Sequence, residues 1–202
     1  METVWQNRRS QSGHCDGCPG CDAPYPLTGV GNRHATVMLV GQEPAYNVDD
    51  DRIDMDMSWY DAADQVIKDR KESMNPLWKH MMNVAVAADC APEDLYFTNL
   101  AKCDDGDSDW HERFDHCHTY FAREIALVDP SVLLLYGTKV SQAVFEMFGL
   151  DLPDALGDAQ GNVYETSSLN LVPLYHWGYA YRRGNVDEYN DTVREIVQEV
   201  LR

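Results

Sequence analysis

A continuous apolar run, Val37-Met-Leu-Val40, is β-branched at both ends and breaks off abruptly at Gly41 and Pro44. Such a run reads as a strand buried on both faces, which belongs in a parallel sheet covered by helices. Three more runs repeat the theme: Leu95-Tyr-Phe-Thr-Asn99, Val132-Leu-Leu-Leu-Tyr136 and Leu171-Val-Pro-Leu-Tyr175. Pro173 suggests an edge position or a bulge for the last of them. Helical segments separate the strands. Met57 to Lys71 has helical potential, and Asn75-Pro76 opens a helix to about Asp89, with Ser73 or Asn75 as its cap. From Trp110 to Val128 the residues Phe114, Phe121, Ile125 and Val128 recur at helical spacing, and Asp129-Pro130 stops the run. Gly137 turns the chain into a helix from Thr138 to about Phe148, Leu152 to Ser168 reads as a loop with a short hairpin, and Asp187 to Leu201 is an amphipathic closing helix. The alternation predicts an α/β fold: three layers, α/β/α, around a central, mainly parallel four-stranded sheet. At 202 residues the chain reads as one domain, 1–202, whose residues 10–35 form a loop rich in Gly, Pro, Ser and Cys.

If the strands are parallel, their carboxyl ends share one rim, where open α/β sheets bind ligands. Gln42 and Glu43, Asn99 and His176 all fall at strand ends. A carboxylate, a carboxamide and an imidazole are the groups needed to read a planar heterocycle and break a bond beside it. Taken singly, each has a plain structural explanation: a turn-capping Asn, a satisfied loop His, a solvated Glu. Their coincidence at one rim favours a site.

Charge narrows the partners. Thirty-four acids against 16 Lys plus Arg give a formal charge of −18, mostly from aspartate spread along the chain. A field of that sign repels polyanions at low salt. At molar salt the Debye length shrinks to ~3 Å and only close contacts count. An Asp-rich, Lys-poor surface of this kind is expected of a protein from a salt-loving organism.

No run of about 18 apolar residues exists, so no membrane span is predicted. The amino terminus lacks the apolar core of a secretory signal, and the chain is expected in the cytoplasm, where thiols stay reduced. Six cysteines then suit metal or cluster ligands better than disulfides. Cys15-Asp-Gly-Cys18 lets two thiolates converge on one metal, with Cys21 a rival for Cys18. Cys90, before a strand, reads as a small core residue.

On these residues the chain resembles the uracil-DNA glycosylase superfamily, especially its iron–sulfur branch, the family-four enzymes. The likeness is carried by Cys15 and Cys18, Gly41-Gln-Glu-Pro-Ala45, Thr98-Asn-Leu-Ala-Lys-Cys103, Cys117 and His176-Trp-Gly-Tyr-Ala-Tyr-Arg182, in the family's order. It implies excision of uracil, or another deaminated base, from DNA in base-excision repair, by a protein expected to be monomeric. Cys15, Cys18, Cys103 and Cys117 would hold a 4Fe–4S cluster, with a structural zinc as the alternative occupant. A catalytically weak homologue that only binds nucleic acid is the competing reading.

The same resemblance implies roles at the rim. Gly41 and Gln42 would line the base pocket, Asn99 would read the imide edge, His176 would stabilise charge on O2, and Glu43 would position water. Tyr179, Tyr181 and Arg182 would wedge into the duplex or hold phosphates. Departures are also visible. Gln42-Glu43-Pro44 is closer to the Gly-Gln-Asp-Pro-Tyr motif of the cluster-free family-one enzymes. Ala45 stands where those have a Tyr crowding the base, which implies room for bulkier bases. The family-four Gly-x-Pro-Phe-x-Gly segment is absent, leaving Met55, Trp59 and Tyr60 as candidates for the stacking side chain. Trp177 replaces the usual Pro after the His.

Overall fold

A computed structural model describes residue 18 and residues 28–44, 59–103, 110–153 and 155–202, with side chains in the first helix taken from residue 64 onward. In chain order the elements are β1 (Val30–Gly31), β2 (Val37–Gly41), α1 (Trp59–Glu72), α2 (Pro76–Ala87), a 3-10 turn (Pro92–Asp94), β3 (Tyr96–Asn99) and α3 (Trp110–Val128). There follow β4 (Val132–Tyr136), α4 (Thr138–Met147), the single turn α5 (Leu156–Ala159), β5 (Tyr164–Glu165), β6 (Asn170–Leu174), α6 (Trp177–Arg183) and α7 (Val186–Val200).

The sheet order is β1-β3-β2-β4-β6-β5. The four predicted strands are its centre, and β3, β2, β4 and β6 run parallel. The expectation of four strands is corrected to six by two-residue antiparallel edges: β1 on β3 and β5 on β6. Strands so short bury too little to leave a periodic signal. Pro173 lies inside the sheet rather than on an outer strand. Its missing N–H is harmless there, because β5 reaches only Asn170 and Leu171. Beyond that point the Pro173 carbonyl accepts from Gly161 N–H at 2.9 Å.

Both faces of the sheet are covered, which is why β2 and β4 are apolar at every position. Met38, Val40, Leu133, Leu135 and Leu171 pack with Phe114, Phe121 and Val128 of α3 and Val144 and Phe145 of α4. The alternate residues Val37, Leu39, Val132, Leu134, Val172 and Leu174 pack with Trp78, Met81 and Val84 of α2 and Val193 and Val197 of α7. Full burial of each such side chain contributes on the order of 2 kcal/mol, so the two layers clamp the strand ends firmly in register. Of the two expected caps, Ser73 and Asn75, it is Asn75 that caps α2, its side chain accepting from Trp78 N–H at 3.0 Å. No helix among the described residues is long and apolar enough to cross a membrane.

Candidate active site

The parallel register carries Gly41, Asn99, Tyr136 and Leu174 to one edge, and a cleft of about 810 Å³ opens over it. Gly41, Gln42 and Glu43 line it from the end of β2, Asn99 from β3, and His176 and Trp177 from the end of β6. The structure thus gathers the predicted polar groups in one place. Phe97, Tyr136 and Trp177 supply its aromatic walls, and Arg70 and Lys139 stand among its lining residues. A smaller cleft of about 420 Å³, between α1, α2 and β1, contains none of the predicted groups.

Asn99 is buried and held from behind. The Lys102 ammonium, 1% exposed, donates to the Asn99 carbonyl at 2.6 Å, to Thr98 Oγ1 at 2.7 Å and to Glu124 Oε2 at 2.7 Å. Thr98 Oγ1 donates to the same carboxylate oxygen at 2.6 Å, and Gly29 N–H to Oε1 at 2.7 Å. A buried ion pair adds little net stability, but every donor and acceptor here has one geometry, so the network fixes position. The turn after β3 is tied to the end of β2 by Leu100 N–H to Gly41 O at 3.0 Å and Ala101 N–H to Gln42 O at 2.9 Å. The Asn99 carboxamide oxygen then lies directly against the Gly41 α-carbon, in space a Cβ would need. Glycine at 41 is therefore demanded by Asn99.

His176 is the amino-terminal cap of α6, a short helix absent from the elements expected from the sequence. Its Nδ1 accepts from Gly178 N–H at 3.1 Å. The ring packs beside Trp177, with centroids 3.9 Å apart. Although the residue as a whole remains accessible from the cleft, desolvation of the imidazole, with the Arg182 guanidinium second, lowers its pKa to about 4. Beneath it lies a group the sequence reading missed. His80 Nε2 and Tyr136 OH are 2.7 Å apart, and His80 stacks on Trp177 with centroids at 5.7 Å. Burial drives His80 down to about 3, with His176 the next cause. Trp177 is in ring contact with both imidazoles. No motif or spacing marks it in the sequence; His80 is buried in α2 with the core residues Trp78, Met81 and Val84.

Glu43 is not the solvated carboxylate of the plainest reading. Gln42 Nε2 donates to its Oε1 at 2.8 Å, and Arg113 Nη2 forms an ion pair with its Oε2. Arg113, on α3, was not singled out from the sequence. It lies on the same buried side of the helix as Trp110, Phe114 and Cys117.

The remaining predicted residues divide. Cys18, Cys103 and Cys117 are buried, and none of the described cysteines is in a disulfide. Lys102 N–H donates to Cys117 Sγ at 3.4 Å. Burial pushes the Cys117 thiol up, and Cys18 is close enough to add to that shift. Buried thiols from separate segments have the donor chemistry of iron or zinc ligands. Among the described residues, no three His, Cys, Asp or Glu side chains form a metal group by themselves. Cys15, Cys21, Ala45 and Met55, with the side chains of Trp59 and Tyr60, lie outside the described residues. Cys90 packs partly buried against the core, as read. On α6, Tyr179 stacks on Tyr175 at 5.4 Å and Arg183 lies over it at 4.6 Å, while Tyr181 is half-buried and Arg182 exposed.

Comparison with known proteins adds the following. The family described as the uracil DNA glycosylase superfamily matches residues 28–200. The chain is 23% identical over 190 residues to the type-4 uracil-DNA glycosylase of Archaeoglobus fulgidus, covering 89% of this chain and 86% of that one. It is 22% identical over 182 residues to the type-4 uracil-DNA glycosylase of Saccharolobus solfataricus, covering 87% and 73%.

Proposed function

The chain belongs to the uracil DNA glycosylase superfamily, and on that premise we propose that it excises uracil from DNA by hydrolysing the N-glycosidic bond, as the first step of base-excision repair. The observation that carries the reading is the shared cleft of Asn99, His176 and Glu43 at the ends of three parallel strands. A glycosidic bond inside a duplex is out of reach, so the nucleotide is flipped into this cleft. The Asn99 amide N–H donates to uracil O4 while its carbonyl accepts from N3–H. The uracil departs as an anion from an oxocarbenium-like sugar. Because His176 Nδ1 already accepts a hydrogen bond, a neutral ring carries its proton on Nε2 and donates it to O2, most strongly as charge develops. Glu43 orients the water that captures the sugar.

Tyr179, Tyr181 and Arg182 engage the flanking duplex. The small side chain at Ala45 suits bases bulkier than uracil as well. Cys15, Cys18, Cys103 and Cys117 would hold one 4Fe–4S cluster, the three described thiols being buried as such ligands require. The protein works as a cytoplasmic monomer, and its acidic surface is an adaptation to high salt, where repulsion of DNA is screened.

The test is incubation with a uracil-containing oligonucleotide in molar KCl, followed by alkaline cleavage of abasic sites. Strand scission dependent on uracil is expected. An intact strand at every salt concentration, with DNA binding retained, would leave only the nucleic-acid-binding alternative. DNA binding confined to salt below about 0.1 M would contradict the adaptation, because ordinary counterion release predicts that steep loss.

A further inference from the structure

Arg113 is 2% exposed and is ion-paired to Glu43, whose side chain is 26% exposed at the cleft. A guanidinium stays charged at any ordinary pH, and a charge so buried cannot exchange its partner for water. Glu43 is therefore the member of the pair that is held, and Arg113 the member that holds it. We propose that Arg113 is a positioning residue for the glycosylase reaction, fixing the Glu43 carboxylate so that its free lone pairs face the cleft. The inference rests on the proposed role of Glu43 as the group that orders water.

The geometry supplies what such a role needs. Glu43 follows the end of β2 in a non-regular segment, and a carboxylate there has free rotamers unless it is tied. Gln42 takes Oε1 and Arg113 takes Oε2, so both oxygens are engaged and each keeps a further lone pair. Arg113 projects from a 19-residue helix whose Phe114, Phe121 and Val128 are embedded in the core against the sheet. The orientation of a loop carboxylate is thus referred to a rigid element, as precise placement of a reacting water requires. The pairing also offsets much of the carboxylate's charge. It follows that Glu43 acts mainly by placing water and less by its field on the sugar.

Single-turnover uracil excision by Arg113→Gln, Glu43→Gln and the double variant tests this, with far-UV circular dichroism to verify folding. Arg113→Gln is expected to slow excision about 10–100-fold while affinity for uracil-containing DNA changes less than about two-fold. In the Glu43→Gln background the same substitution should have less than about a three-fold effect. Arg113→Lys keeps the charge without the planar fork and should recover part of the rate. Should Arg113→Gln fail to fold, Arg113→Lys carries the cycle with a smaller amplitude. Equal losses in both backgrounds, or a folded Arg113 variant at full rate, would overturn the inference alone. A Glu43→Gln protein at full rate would instead remove the role of Glu43, and the inference with it.

Discussion

The backbone N–H of Gly178 donates to Nδ1 of His176 at 3.1 Å, and this one bond sets which imidazole nitrogen carries the proton. A neutral ring then has its N–H at Nε2. With a pKa of about 4, the ring is neutral throughout the range in which DNA duplexes are stable. His176→Ala should lower turnover by about 10²–10³-fold with little change in DNA affinity, the loss expected of one preorganised donor. A ring-proton NMR titration of His176 should find its midpoint well below 6. A midpoint near 7 would make the cationic ring the donor and overturn this assignment.

Acid stability follows from His80. Its folded pKa of about 3 lies below its ordinary value of 6.5, so between those limits the unfolded chain binds more protons. Its contribution is fully present above about pH 6.5 and is lost as pH falls through the window toward 3. His176 acts in the same direction, more weakly because its residue is exposed. His80→Gln can keep a hydrogen bond to Tyr136 OH without titrating. The variant should be less stable at pH 7, yet lose less melting temperature than the parent between pH 6.5 and 4. Parallel curves for the two proteins would exclude His80 as the source.

Much of this frame was legible because its signals are local. The helix ending at Val128 is where the sequence places it, since the helical spacing of Phe114, Phe121 and Val128 ends at Asp129-Pro130. Asp129 indeed leaves the helix with φ 52°. Strand ends on one rim follow from the strand–helix alternation, which places Glu43, Asn99 and His176 together. The turn Trp177–Arg183 escaped because Gly178 weakens a helix signal and histidine is not a usual cap. The side chains that hold the site escaped for another reason. Arg113 and Glu43 are 70 positions apart and Lys102 and Glu124 are 22, and no spacing rule joins them. Such pairs are decided by tertiary packing of α3 on the sheet.

The cysteines yield a visible prediction. Protein purified without oxygen should be brown and contain about four iron atoms per chain. Cys103→Ala and Cys117→Ala should lose colour and thermal stability together, whereas Cys21→Ala should lose neither. One zinc per chain with no visible absorbance would assign the thiols to a structural zinc instead.

Gly41 should tolerate no side chain. In Gly41→Ala the new methyl meets the Asn99 carboxamide oxygen, so that carboxamide must turn out of its place in the cleft. Overpacking of this kind costs roughly 1–3 kcal/mol, shared between stability and distortion of the site. Inhibition by free uracil should weaken along with excision. A variant that keeps its affinity for uracil would mean that the carboxamide is not what reads the base.

Asn99 gives the most direct test of base recognition. Uracil presents an acceptor at O4 and a donor at N3, which an amide matches with one donor and one acceptor. Cytosine presents an amine at the 4-position and an acceptor at N3, so the same amide leaves polar groups unpaired in a buried site. Asn99→Asp replaces the donor by a second acceptor. It should weaken uracil excision and admit slow excision of cytosine, measured on oligonucleotides differing in that one base. The substitution also puts a carboxylate at a position only 7% exposed, where desolvation opposes its charge. A fall in melting temperature is therefore expected as well, and the rates must be compared at a temperature where both proteins are folded. Undiminished preference for uracil over cytosine in a folded Asn99→Asp protein would move base recognition away from this residue, toward the Phe97, Tyr136 and Trp177 walls of the cleft.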